Sequence, residues 1–282
     1  MKAKKVSVIM LAVGFFLATI FSCIFVFSVR KVETSFAVSN EYDTVKMQNQ
    51  LNKFNGKNLL FLNLDDVYSV LNQDRYLKVL EVKKSFPNVI NVSLEQRIGV
   101  FYLQYQDKYY LLDDSGFVLE EYSFEQYSQI AKNDNKKTIS INAFNNVVEN
   151  GEVVSVEDTQ IVNSKPNIAK KIDADENGII YTALAMAKEV RLTDCIKHIK
   201  ISRLAELNYV IFYTYSGVEI LVENIVDRGV DKILEAFSLY DNEENDYKKS
   251  FGKIHCFTSL KEGEEGKIDV TWTDKFPDEY KL

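Results

Sequence analysis

The run Val6 to Val29, VSVIMLAVGFFLATIFSCIFVFSV, holds 24 residues and no charge. As a helix rising about 1.5 Å per residue it would extend roughly 36 Å, enough to cross the hydrocarbon core of a bilayer with some tilt. A cleavable signal segment has a shorter apolar region, about 7–15 residues, followed by a small-x-small site. Here Arg30 and Lys31 follow directly. The pattern predicts an uncleaved single-pass membrane anchor over residues 6–29, after a cytoplasmic tail of residues 1–5. Lys2, Lys4, Lys5 and the amino terminus outweigh Arg30 and Lys31, which places the N-terminus inside and all that follows the anchor outside.

The chain carries 34 basic and 41 acidic residues, a net charge of -7. The five charges in its first 31 residues are all basic, so the remainder has 29 basic against 41 acidic side chains. That balance, without a basic stripe interleaved with aromatics, excludes nucleic acid as a partner. With 46% hydrophobic and 27% charged residues, the 282-residue chain has material for a core and for more than one small domain. Cysteine is too scarce for a disulfide scaffold. Cys23 lies in the apolar run, and Cys195 and Cys256 read as free thiols acting as small hydrophobes, with a single bridge between them as the alternative.

Past the anchor, Val32, Thr34, Phe36 and Val38 alternate with more polar neighbours, the period of a strand. Asp43 is placed to cap a helix bearing Met47, Leu51 and Phe54 on one face, with Gly56 to end it. A second helix starts near Asp65, with Val67, Val70 and Leu71 as its stripe. Two alternating runs, Val79–Lys84 and Val89–Glu95, are joined at Phe86-Pro87-Asn88, because proline has no N–H for a ladder and favours a turn. The result is a small β-α-α-β-β unit in which two helices and three strands share one core.

Further strands are expected at Val100–Tyr105, Lys108–Leu112 and Phe117–Leu119, the last after the turn Asp113-Asp114-Ser115-Gly116. Residues 120–138 read as a polar loop, Thr138–Phe144 as a strand, and the Asn/Glu/Lys-rich stretch to about 172 as irregular. Ile180, Ala183, Leu184, Ala187 and Val190 mark a helix face, as do Val230, Ile233, Leu234 and Phe237. Ile196–Ile201, Tyr209–Tyr215, Val218–Val222, Lys253–Phe257 and Lys267–Thr273 read as strands, with a hairpin at Ser216-Gly217. The fold class is α+β: an N-terminal transmembrane helix, the small unit over residues 30–97, and a mostly β-sheet domain over 98–282.

Catalytic chemistry finds few candidates. His198 and His255 lie in strand-like runs, where an imidazole is more often a half-buried sheet residue than a base. With Cys195 or Cys256 they lack the tight spacings of a metal site. No G-x-S-x-G, phosphate-binding loop or H-E-x-x-H is present. The acidic runs at 242–246 and 262–265 read as solvated loops. Glu95 and Arg97, two apart on one strand face, read either as a solvated charge pair or as the exit into the next sheet.

A short basic N-terminus, one apolar span, the β-α-α-β-β unit with Asn58-Leu59-Leu60-Phe61-Leu62-Asn63 before its second helix, and Phe86-Pro87-Asn88 leading to Leu94-Glu95-Gln96-Arg97 together resemble the FtsQ/DivIB bacterial division proteins. Residues Leu111 to Leu119 echo the family's turn after its first strands. The chain departs from the family pattern by an extra leucine after Asn58, by Asn63 in place of aspartate, and by Gln96 between Glu95 and Arg97. The resemblance covers residues 1–119 well and the rest in element order. It implies a POTRA-like domain at 30–97, with Asn58, Phe61, Phe86, Pro87, Asn88, Glu95 and Arg97 as its structural motif. It also implies a non-enzymatic scaffold of the division septum that binds FtsL-like and FtsB/DivIC-like membrane proteins and helps regulate septal peptidoglycan synthesis, with no cofactor, metal or small-molecule substrate.

The implied mode is addition of a partner strand to an open sheet edge. The expected partner surface is Lys267, Ile268, Asp269, Val270, Thr271 and Trp272, since Gly266-Lys267-Ile268-Asp269 matches the family's closing strand and no chain after Leu282 remains to cover it. Lys253–Phe257 is the rival edge. An unrelated membrane-anchored surface binding module and a surface enzyme are the alternative readings of the whole chain.

Overall fold

The computed structural model describes residues 2–37, 44–133, 138–149, 152–158, 161–175, 177–189, 195–204, 207–261, 263, 265–277 and 280. It divides the chain into two compact units, residues 1–97 and 98–282. The expected cap Asp43 and the alternating position Val38 lie outside the described residues, as do Val190, expected on the helix face that begins at Ile180, and Glu262 and Glu264 of the second acidic run.

The smaller unit opens with helix α1 (Lys2–Val26), followed by β1 (Lys31–Phe36), α2 (Thr44–Leu51), a 3-10 turn (Asn52–Phe54), α3 (Leu64–Leu71), β2 (Leu77–Ser85) and β3 (Val89–Gln96). The side chains of residues 1–9, part of the expected anchor, are outside the described ones. Among the described residues no helix is long and apolar enough to cross a membrane. The helix also stops at Val26, before the apolar run ends at Val29. Val29 is 2% exposed within the core of this unit, and its N–H donates to the carbonyl of Lys57 at 2.8 Å.

Strand order is β1-β3-β2, with β3 central, parallel to β1 and antiparallel to β2. The helical stripes read from the sequence meet it: Met47, Leu51 and Phe54, together with Val67, Val70 and Leu71, share one core with Ile90, Val92 and Leu94, which lie on one face of β3. Each buried side chain of this size contributes about 1.5–3 kcal/mol, which is why helices of eight residues hold here and would not in isolation. Gly56, at φ +83°, supplies the left-handed residue that turns the chain after Phe54. The Asn63 side chain accepts from Asp65 N at 3.1 Å and caps α3, so asparagine performs here the capping that an aspartate would.

The larger unit contains β4 (Phe101–Tyr105), β5 (Lys108–Leu112), β6 (Val118–Ser123), α4 (Phe124–Asn133), β7 (Ile139–Glu149), β8 (Glu152–Glu157), α5 (Ile179–Glu189), β9 (Ile196–Leu204), β10 (Leu207–Thr214), β11 (Glu219–Glu223), α6 (Gly229–Asp241), α7 (Asp246–Phe251), β12 (Lys253–Thr258) and β13 (Ile268–Thr273). They form one ten-stranded sheet in the order β13-β12-β11-β10-β9-β7-β4-β5-β6, with β8 paired to β7. Helices α5 and α6 supply Ile180, Ala183, Leu184, Ile233 and Ala236 to a core against Ile199, Ile201, Val210, Phe212, Ile220 and Ile254. On the opposite face Tyr209, Ile211 and Leu221 are covered by Phe276 and Tyr280, which follow β13.

Four expectations change. The expected loop at 120–138 is structured over its described residues 120–133: β6 runs to Ser123, and α4 packs Tyr127 flat on Tyr109 at 4.0 Å and edge-on to Tyr102 at 5.1 Å. Its polar composition hid an aromatic contact surface. The stretch after Phe144 is not irregular throughout, since β7 continues to Glu149 and β8 pairs back on it. Leu234 is exposed, while Lys232 on the same helix is fully buried. Its ammonium donates to the carbonyls of Glu223 (3.0 Å) and Asn224 (3.1 Å), and burial lowers its pKa. The acidic run 242–246 is partly a helix start, because Asn245 accepts from Tyr247 N and Lys248 N and caps α7.

Candidate functional site: the terminal edge of the large sheet

Of the two rival edge segments, β12 is an inner strand, parallel to β11 on one side and antiparallel to β13 on the other. β13 terminates the sheet. Ser259 N donates to Lys267 O at 2.7 Å, so the pair Ser259/Lys267 is a bonded one. Bonded and non-bonded pairs alternate in an antiparallel ladder. By the register, Phe257/Asp269, His255/Thr271 and Lys253/Thr273 are then also bonded. The N–H and C=O groups of Ile268, Val270 and Trp272 therefore point away from β12, towards the open side. Among the described residues no strand pairs with them there.

The side chains of the same three residues turn to the core, where they pack half-buried beside α6. Trp272 lies on Gly252, where a Cβ would come within 2.4 Å of the ring, and Lys248 approaches its face at 5.8 Å. Its indole Nε1 is buried and has no acceptor among the described residues. Asp269 and Thr271 occupy the opposite face of the strand. Tyr247 and Phe251 on α7, the helix that leads into β12, are both exposed and pair at 5.8 Å. The strand is thus fixed on one side by its ladder and core contacts and offers the other side as backbone. After β13, Phe276 and Tyr280 cover a face of the sheet, and among the described residues no strand pairs with the outer side of β13.

The histidines do not converge. His198 in β9 and His255 in β12 are three strand spacings apart, roughly 14 Å. His198 Nδ1 meets Ser140 Oγ at 2.6 Å, and burial lowers its pKa to about 4. His255 Nε2 is bonded to the Glu223 carboxylate. Cys195 and Cys256 are not joined in a disulfide; Cys256 donates to Lys232 O at 3.2 Å, and burial raises its pKa to about 12. Among the described residues no group of His, Cys, Asp and Glu side chains is placed to hold a metal ion.

The motif residues of the smaller unit lie at two places. Asn58, Phe61, Phe86, Pro87 and Asn88 sit in the turns at the end where α1 joins, while Glu95 and Arg97 are at the far end of β3. Glu95 pairs with Lys78 on the facing strand at 2.8 Å, and Arg97 N donates to Tyr76 O at 2.8 Å. The charge pair is therefore cross-strand and half-exposed, worth well under about 1 kcal/mol.

Three curated proteins, each named cell division protein DivIB, are similar to this chain. The one from Clostridium tetani (strain Massachusetts / E88) is 24% identical over 151 residues, 54% of either chain. The one from Clostridium acetobutylicum is 32% identical over 65 residues, 23% of this chain and 26% of that protein. The one from Bacillus subtilis (strain 168) is 31% identical over 93 residues, 32% of this chain and 35% of that protein. The matches thus span about half the length of the first relative and smaller shares of the others. No family model matches the chain. The resemblance carried by the sequence motifs is borne out by these homologues.

Proposed function

From the premise that this chain is a homologue of DivIB cell-division proteins, we propose that it is a non-enzymatic scaffold of the division septum. Helix α1 anchors it in the cell membrane with the N-terminus in the cytoplasm, and both units stand outside, the smaller one as a POTRA-like domain. The apolar side chains of α1 from Met10 to Val26 are exposed, including Phe15, Phe16, Phe21 and Phe25, and an apolar surface of that kind calls for lipid or a protein partner around it. The open side of β13 receives a strand from FtsL-like or FtsB/DivIC-like proteins, and through them the scaffold helps regulate septal peptidoglycan synthesis.

The observation that carries this reading is the outward row of backbone groups at Ile268, Val270 and Trp272. Backbone pairing supplies affinity at such an edge, and flanking side chains supply selectivity. Val270→Pro is the sharp test, because it deletes an outward N–H without touching a bond to β12. The expected result is loss of capture of an FtsL or DivIC homologue from the same organism by a variant that remains folded. Undiminished capture by folded V270P would rule out pairing at this edge.

A further inference from the structure

The smaller unit carries an apolar tip that its own core does not use. Where α1 ends, the chain is sewn to the loop 56–62: Leu59 N donates to Phe27 O at 2.6 Å, Val29 N to Lys57 O at 2.8 Å, and Ser28 forms an antiparallel bridge with Asn58. Asn58 Nδ2 reaches the carbonyl of Cys23, within α1, at 3.4 Å. The Asn58 side chain accepts from Leu60 N at 3.0 Å, and its carbonyl accepts from Phe61 N and Leu62 N at 3.2 and 3.0 Å. These bonds close a tight turn with Phe61 at its crest, 86% exposed, beside Leu60 at 42%.

The β2–β3 turn lies alongside. Lys84 Nζ donates to Leu60 O at 3.2 Å, and Phe86, 59% exposed, meets Phe27 edge-on at 6.0 Å. Arg30 N donates to Asn88 O at 2.9 Å, which brings a third cation-bearing segment to the same end. The core of this unit closes without Leu60, Phe61 or Phe86. Of the acidic side chains nearby, Glu33 is paired with Lys31 at 2.8 Å, and Asp65 and Asp66 occupy the first turn of α3, where the helix N-terminus favours them.

We propose that Leu60, Phe61 and Phe86 form a foot that inserts into the headgroup region of the bilayer beside α1, with Arg30, Lys57 and Lys84 facing anionic phospholipid headgroups. Aromatic and aliphatic tips flanked by long cationic side chains fit that boundary, since the rings leave water while the charged heads stay at the phosphates. The foot rests on the reading of α1 as an anchor, and the backbone bonds between residues 27–29 and 57–59 tie the tip to the helix end. It would hold the smaller unit in a set orientation on the membrane where a bare linker would let it swivel.

The test uses the full chain reconstituted into vesicles of phosphatidylcholine and phosphatidylglycerol, with bromine placed at shallow or deep positions on the acyl chains. Trp272 is the one tryptophan in the chain. Phe61→Trp and Phe16→Trp are each made with Trp272→Phe, and also in the native background with the wild type measured alongside, so a poorly folding W272F does not stop the comparison. The tryptophan introduced at position 61 should lose emission most to shallow bromines, and the one at position 16 to deep ones. Quenching at 16 without quenching at 61 overturns the foot and leaves the anchor standing. Absence of quenching at both overturns the anchor and the foot together. Because these vesicles hold no other protein, quenching at 61 also excludes a protein partner as the sole occupant of the tip.

Discussion

At one end of the ten-stranded sheet, β6 receives a strap from its own chain: Val118 N donates to Lys170 O, Ala169 N donates to Val118 O, and Phe117 bridges to Lys171. Glu120 and Glu121 follow on the same strand, with Lys108 and Lys165 beside Glu121. At the other end, β13 has its ladder to β12 and nothing described beyond it. Open edges invite uncontrolled pairing, and proteins commonly cover them or place charge on them. One edge here is paired at its start by the strap and carries Glu120 and Glu121 further along. The other keeps its outward backbone groups, with Lys267 just before the strand and Asp269 on it as nearby charges. The contrast is between an edge strand whose start is paired by a strap of its own chain and one with no described partner along its outer side.

The largest expected effect separates an inner strand from the edge beside it. Cys256 pairs with Val270 at a non-bonded position, so its backbone groups face β11. Cys256→Pro removes a buried ladder bond and forces the ring into a closed sheet, at a cost of about 3 kcal/mol or more. Val270→Pro, one strand further out, loses only an outward donor and should cost about 1 kcal/mol. Urea unfolding of the two variants checks this, and equal midpoints would show that β12 is as free as β13.

A second effect lies midway between the edges, at His198 on β9. Burial lowers its pKa to about 4, Lys200 and Lys197 oppose its charged form further, and the contact with Ser140 acts the other way. The unfolded ring titrates near about 6.5. Between these values the unfolded chain binds the additional proton, so the contribution of neutral His198 is whole above about pH 6.5 and is lost as the pH falls towards 4. The stability of the wild type relative to His198→Gln should therefore fall by about 2–3 kcal/mol between about pH 7 and about pH 4. Parallel pH profiles for the two proteins would mean that the ring is solvated in the folded state.

The smallest effect probes the strap on β6. Ala169 holds φ at +62°, a conformation that costs an L-residue about 1–2 kcal/mol and glycine very little. Glycine also adds roughly 0.5–1 kcal/mol of unfolded-state freedom, so Ala169→Gly should stabilise by about 0.5 kcal/mol. A rise of a few degrees or less in the thermal midpoint is the expected reading. A fall would show that the strap does not keep this backbone conformation.

Much of the local structure followed from the sequence alone. The stripes Met47-Leu51-Phe54 and Val67-Val70-Leu71, the alternation on either side of Pro87, and the turns at Gly116 and Gly217, both at positive φ, are set by residues within one turn or one strand of each other. Such signals survive without tertiary knowledge. The chain-level α+β class followed from the same periodicities. What they missed was carried by contacts distant in sequence: α4 is fixed by Tyr127 on Tyr109 and Tyr102, and Lys232 is buried because two strand-end carbonyls receive its ammonium. The candidate edge shows the division most plainly. Lys253–Phe257 and Lys267–Thr273 alternate alike, and side-chain period says which face is inward but not which strand is last. Strand order is decided by backbone groups, which nearly every residue possesses in the same form, so only the folded sheet placed β12 inside and left the backbone N–H and C=O groups of Ile268, Val270 and Trp272 facing out.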